Sequence, residues 1–211
     1  MTLTTARSGN GWKSAAILLL LICTSPAAQT VRNTDPETPS QAQLKELYSR
    51  PLRLPALSKN GGCPVSKPDR DSVPRVGYIF CSGCPWFGKG PVYFAPAWFD
   101  ETAGSVPLSK RLPSEKDRFS VKTAWVTRPE YVGPVLARIR RLEDGEKVEL
   151  RFDAGGYRDL QISSPARRDD PTHWSFWPSS MLLTKPGCYG AQIDTAQGTD
   201  VAVFAVTRAK E

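Results

Sequence analysis

Histidine occurs once in this chain of 211 residues, at His173. A catalytic serine needs a base and a zinc site needs several nitrogen or sulfur ligands, so this scarcity leaves very few arrangements for either. Neither Gly-x-Ser-x-Gly nor Ser-x-x-Lys occurs, which removes the two commonest local signatures of a serine hydrolase. The chain has no run of five basic residues and no internal repeat, so a nucleic-acid arm and a solenoid are not expected. It also lacks a comfortable membrane span. The apolar run 15–22 is far shorter than the roughly 20 residues that a helix needs to cross a bilayer.

What is present begins with a leader. Arg7 and Lys13 precede the apolar run, and Cys23-Thr24-Ser25-Pro26-Ala27-Ala28 follows it, the layout of a secretory signal peptide over residues 1–27. Ser25 and Ala27 stand where a signal peptidase reads small residues, giving Ala28 or Gln29 as the mature N-terminus. Lipid attachment at Cys23 is disfavoured because Ile22, just before it, is not small. Removing Arg7 and Lys13 takes the formal charge from +7 to +7 − 2 = +5. That modest excess favours solubility and loose attraction to anionic surfaces, and export argues against a nucleic-acid partner.

Beyond Cys23 four cysteines remain: Cys63, Cys81, Cys84 and Cys188. An even number in an exported chain implies disulfides, and sequence alone leaves three connectivities open. The pairing expected is Cys63 with Cys188 and Cys81 with Cys84. The Cys81-Ser82-Gly83-Cys84 motif also suits a redox pair or half of a zinc site. Phe87-Gly88-Lys89-Gly90-Pro91 downstream cannot propagate the helix that a thioredoxin-type thiol requires, and the chain has no second Cys-x-x-Cys. A structural bridge is therefore the expectation, and no cofactor or metal is expected.

Residues 28–60 are polar and proline-rich and read as a linker. Within it, Thr38-Pro39-Ser40-Gln41 is a helix start and Pro51 a stop, predicting a short helix with Leu44, Leu47 and Tyr48 on its apolar side. From residue 61 to 211 the pattern is all-β, with about eight or nine short strands between turn signals, as in an antiparallel immunoglobulin-like sandwich. The Phe176–Ile193 stretch lays down one half of the core. Tyr189, Ala191 and Ile193 share one strand face, Cys188, Gly190, Gln192 and Asp194 the other, and residues 201–206 close a hairpin. Tyr189, just after Pro186-Gly187, is placed to return its hydroxyl to a loop carbonyl like a tyrosine corner. Asp144-Gly145 predicts a hairpin with Val148, Leu150 and Phe152 inward. Arg138-Ile139-Arg140-Arg141 reads as a solvated strand face, and the passage after Trp98-Phe99 through Pro107 and Pro113 reads as irregular.

Gly133-Pro134-Val135-Leu136-Ala137-Arg138, Trp177-Pro178-Ser179-Ser180-Met181 and Pro186-Gly187-Cys188-Tyr189 resemble segments of an uncharacterised family of bacterial exported proteins. Its members carry a small Ig-like sandwich that opens on Gly-Cys-Pro, here Gly62-Cys63-Pro64. The resemblance implies a fold and a compartment and supplies no catalytic residues. The function expected is a non-catalytic module of the cell envelope or exterior that binds a protein or glycan. Trp86, Phe87 and Trp98 are candidate ligand-contact aromatics, with burial in the core as the competing reading. Two other classes stay open: a thiol protein using Cys81 and Cys84, and a hydrolase built on His173 with Ser179 or Ser180, or on Asp153 with Asp159.

Overall fold

Alternation along the strands builds two apolar layers. Val92 and Phe94 of strand β1 (Val92–Pro96) enter one cluster of buried side chains, while Tyr93 and Ala95 enter another on the opposite face. The computed structural model describes residues 41–58, 61–69, 71–73, 85–108, 114–115, 118–152, 155–157, 159–162 and 174–209. The leader, Cys81, Cys84, Asp153 and His173 lie outside the described residues.

Two sheets face each other. The first runs β1, β4 (Arg118–Thr127), β9 (Ser175–Leu183), β6 (Glu149–Phe152) and β7 (Gly155–Tyr157), all antiparallel, with the short β3 (Ser114–Glu115) beside β4. The second runs β2 (Ser105–Leu108), β11 (Gly198–Arg208), β10 (Gly187–Thr195), β5 (Val135–Arg141) and β8 (Leu160–Ile162). The described residues thus form an all-β sandwich with one short helix, α1 (Gln41–Ser49).

Between the sheets, Phe94 stacks on Trp125 with ring centroids 5.1 Å apart and meets Phe204 edge-on at 6.0 Å. Tyr189 stacks on Phe204 at 5.7 Å. The indole N–H of Trp125 has left water, and it donates to Ser179 Oγ at 2.8 Å, so that the ring is buried without an orphaned donor. The Tyr189 hydroxyl donates to Lys185 O at 2.6 Å, as the turn before it leads one to expect. Gly187, in that turn, has φ 156°, a backbone that side-chain-bearing residues rarely adopt, and a Cβ there would push against the Arg141 and Glu143 side chains.

Three readings from sequence change. The turn at Asp144-Gly145 forms, with Gly145 N donating to Arg141 O at 2.8 Å, yet the hairpin is abandoned after the bridge between Arg140 and Lys147. Val148 and Leu150 bury themselves by crossing to β9 in the opposite sheet, and β8 takes the vacated edge of β5. Residues 105–108, expected as irregular, pair in parallel with β11 at an edge, where Pro107 costs no ladder bond to a further strand. Arg138 and Arg140 are not solvated: each is over nine-tenths buried and ion-paired, Arg138 to Asp194 at 2.6 Å and Arg140 to Asp159 at 3.0 Å.

Candidate functional site

The face of β10 that carries Cys188, Gly190, Gln192 and Asp194 is as buried as its core face. The chain after α1 covers it. Leu44 and Leu47 of the helix are buried, whereas Tyr48 is exposed. The following residues form a strap that is read mainly through its backbone. Arg138 Nη2 donates to Arg50 O at 3.0 Å, Gln192 Nε2 to Pro51 O at 3.0 Å, and Arg53 N to Gln192 Oε1 at 2.6 Å. Leu54 sits over Gly190, where a Cβ would lie 3.0 Å from its Cδ2. Farther on, Cys63 is bonded to Cys188, the expected bridge, with Cα atoms 5.4 Å apart. Residues 41–58, read from sequence as part of a linker, are therefore built into the sandwich.

Beneath the strap lies a buried polar network that sequence reasoning missed. Asp194 is fully buried and accepts from Arg138, from Gln192 Nε2 at 3.1 Å and from Thr199 Oγ1 at 2.6 Å. An isolated buried carboxylate is very costly, and these donors offset that cost. The period-two pattern marks Asp194 and Gln192 as one face; only the strap makes that face an interior. Arg50 Nη1 extends the network by donating to Thr195 O at 2.7 Å and Gly198 O at 3.1 Å, which clamps both ends of the turn between β10 and β11.

The clamped turn forms one wall of a cleft of about 290 Å³, whose lining includes Lys89, Gly90, Ile193, Gln197, Thr199 and Asp200. The segment before β1 forms the opposite wall. Gly88 there has φ 126°, and a Cβ would come 2.7 Å from Val92 O, so the close approach requires glycine. Asp200 ties the two walls together: Oδ2 accepts from the backbone N–H of Lys89 and Oδ1 from that of Val201. Tyr131, in the loop between β4 and β5, adds a third tie, donating to Pro134 O at 2.6 Å and accepting from Ala196 N at 3.2 Å. Burial pushes the Tyr131 phenol above its ordinary pKa. Behind Gly90, Arg128 Nη2 donates to Tyr93 Oη at 2.7 Å, with its guanidinium 5.7 Å from that ring centre. The cleft walls are fixed by hydrogen bonds before any ligand arrives.

The aromatics singled out in the sequence do not form one platform. Phe87 is fully buried, 5.1 Å from Phe99 and 5.5 Å from Phe94, and Trp86 is buried in the outer cluster with Tyr93 and Val126. Neither offers a ring face to a ligand, because the core gains more by covering them. Trp98 is the exposed one, at 49% of its surface, and has φ 59°. Of the hydrolase candidates, Ser179 accepts from Trp125 inside the sandwich and Asp159 is held by Arg140. No described helix is long and apolar enough to cross a membrane. Compared with protein-family models, curated proteins and solved structures, the chain matches none.

Proposed function

We propose that this chain is an exported, non-catalytic Ig-like sandwich of the cell envelope or exterior that binds its ligand at the end where the cleft opens. The observation that carries the reading is the cleft itself, a preformed concavity between the 89–92 segment and the turn at Gln197 and Gly198, a turn that Tyr131 of the 128–134 loop braces through Ala196 N. The Ig-like reading is supported by strand order. Sheets β1-β4-β9-β6 and β11-β10-β5 correspond to the A-B-E-D and G-F-C orders, so the cleft falls beside the B–C and F–G turns, which carry ligands in variable domains. It differs from the usual pattern in that Cys63–Cys188 ties β10 to the strap, not to β4, and that β8 follows β6 in the chain yet pairs with β5. The bridge, once formed, supports an oxidising compartment.

The test uses the full-length chain with a C-terminal tag in a bacterial host. Recovery outside the cytoplasm with Ala28 or Gln29 as the first residue, and retention on an envelope fraction that Gln197→Trp abolishes, would support the reading. A full-length cytoplasmic product with Cys63 and Cys188 reduced, or retention unchanged by Gln197→Trp, would overturn it.

A further inference from the structure

The cleft carries one positive and one negative group that do not neutralise each other. Lys89 and Asp200 both border it and are joined through the Lys89 backbone N–H, yet the Lys89 ammonium forms no ion pair with Asp200 or with any other described carboxylate. Each Asp200 oxygen holds one backbone N–H and keeps accepting capacity for a further donor. A simple anion entering here gains Lys89 and meets Asp200, and a simple cation meets the reverse. A neutral dipolar molecule satisfies both poles. From this geometry we infer that the cleft takes an amino-acid-sized zwitterion, its carboxylate on Lys89 and its ammonium on Asp200, with the Gln197 carboxamide at the rim. This rests on the cleft end being the binding end.

The size fits the chemistry: about 290 Å³ lies just below the range of about 300 to 1,000 Å³ of clefts for drug-sized ligands, as suits a smaller molecule. The negative pole is held in place, and the Lys89 ammonium is anchored only through its backbone N–H. Asp200 is fixed by two backbone donors, and the wall behind Thr199 is fixed by Asp194, itself bonded to Arg138. The ligand's side chain is left facing solvent, so the cleft recognises the α-amino and α-carboxylate groups and tolerates variety beyond them.

The experiment is an amide-resolved NMR titration of the mature chain with glycine, alanine and glutamate, against acetate, methylammonium, N-acetylglycinamide and glucose. The expected result is that the free amino acids shift the amides of Gly90, Gln197 and Thr199 at lower concentration than acetate or methylammonium. Lys89→Met and Asp200→Asn each weaken that binding by about tenfold or more, the loss of one charge contact. Asp200→Asn also alters the tie to the Lys89 N–H; Lys89→Met leaves that bond intact and separates ligand contact from loosening of the wall. Glycine binding no tighter than acetate, insensitivity to Lys89→Met, or glucose alone shifting these amides overturns the zwitterion. A shift by glucose alone leaves the binding end standing, whereas envelope retention that survives Gln197→Trp removes the binding end itself.

Discussion

Arg138 on β5 and Asp194 on β10 meet at 2.6 Å under the strap, in a place that water does not reach. Asp194 holds Thr199 of the cleft wall, and Arg138 holds the backbone of Arg50, so one ion pair connects the strap to the cleft.

Breaking that pair on one side leaves the other charge buried and uncompensated. Arg138→Met is expected to cost about 3–5 kcal/mol, and Asp194→Leu about as much. Replacing both together with Met and Leu should cost clearly less than the sum. Urea unfolding of the four proteins, read as a double-mutant cycle, checks this. Simple additivity would mean that the two side chains are stabilised independently by the strap and by Gln192.

The bond between Cys63 and Cys188 spans a sequence separation of 125 residues. Closing so long a loop removes conformational freedom from the unfolded chain worth about 4–5 kcal/mol. The double variant Cys63→Ala, Cys188→Ala should lose that much in denaturant midpoint analysis, and reductant applied to the unaltered protein should reproduce the loss. A change below about 1 kcal/mol would show that hydrogen bonds at Arg50, Pro51 and Arg53 alone hold the strap.

Much of this architecture is legible in the chain because it is written as local period-two alternation. Tyr189, Ala191 and Ile193 point into the core, residues 201–206 pair back on them, and helix α1 ends before Pro51. The Tyr189 hydroxyl finds Lys185, since a turn that ends in Pro186-Gly187 returns the chain within reach. What alternation does not say is what covers the second face. Arg138, Gln192 and Asp194 look like a wet surface until the strap is laid over them, and Arg140 until Asp159 pairs with it; within the strap, Leu52, Leu54 and Ala56 alternate, but Pro51 and Pro55 break the run as a strand signal. The cleft is hidden for the same reason. Its walls at Lys89 and Asp200 are 111 residues apart and meet only through tertiary contacts. The crossing of the chain at residues 147–149 from one sheet to the other is equally non-local, for Asp144-Gly145 specifies a turn and says nothing about which sheet the next strand joins.

Trp98 combines a left-handed backbone with a half-exposed indole, and each feature is unfavourable for the fold. Asparagine tolerates that backbone better and exposes less apolar surface. Trp98→Asn should therefore leave stability unchanged or raise it by up to about 1 kcal/mol, measured as the thermal midpoint. A loss greater than about 1 kcal/mol would mean that the ring contributes packing that outweighs the backbone cost.

Burial drives the phenol of Tyr131 above its ordinary pKa and that of Tyr189 well above it, and the hydrogen bonds they donate to Pro134 O and Lys185 O keep the neutral form in place. A phenol whose pKa is raised in the folded protein favours folding fully below the unfolded value of about 10, and that contribution fades as pH rises past it. At least two of the six tyrosines should then stay un-ionised above pH about 10 until the sandwich opens. Their phenolate absorbance should appear together with the loss of near-ultraviolet circular dichroism. Tyr131→Phe should flatten part of the alkaline decline, while lowering stability at neutral pH by about 1 kcal/mol for the lost bonds to Pro134 and Ala196. Ionisation of all six phenols with the circular dichroism intact would contradict the closed packing around both rings.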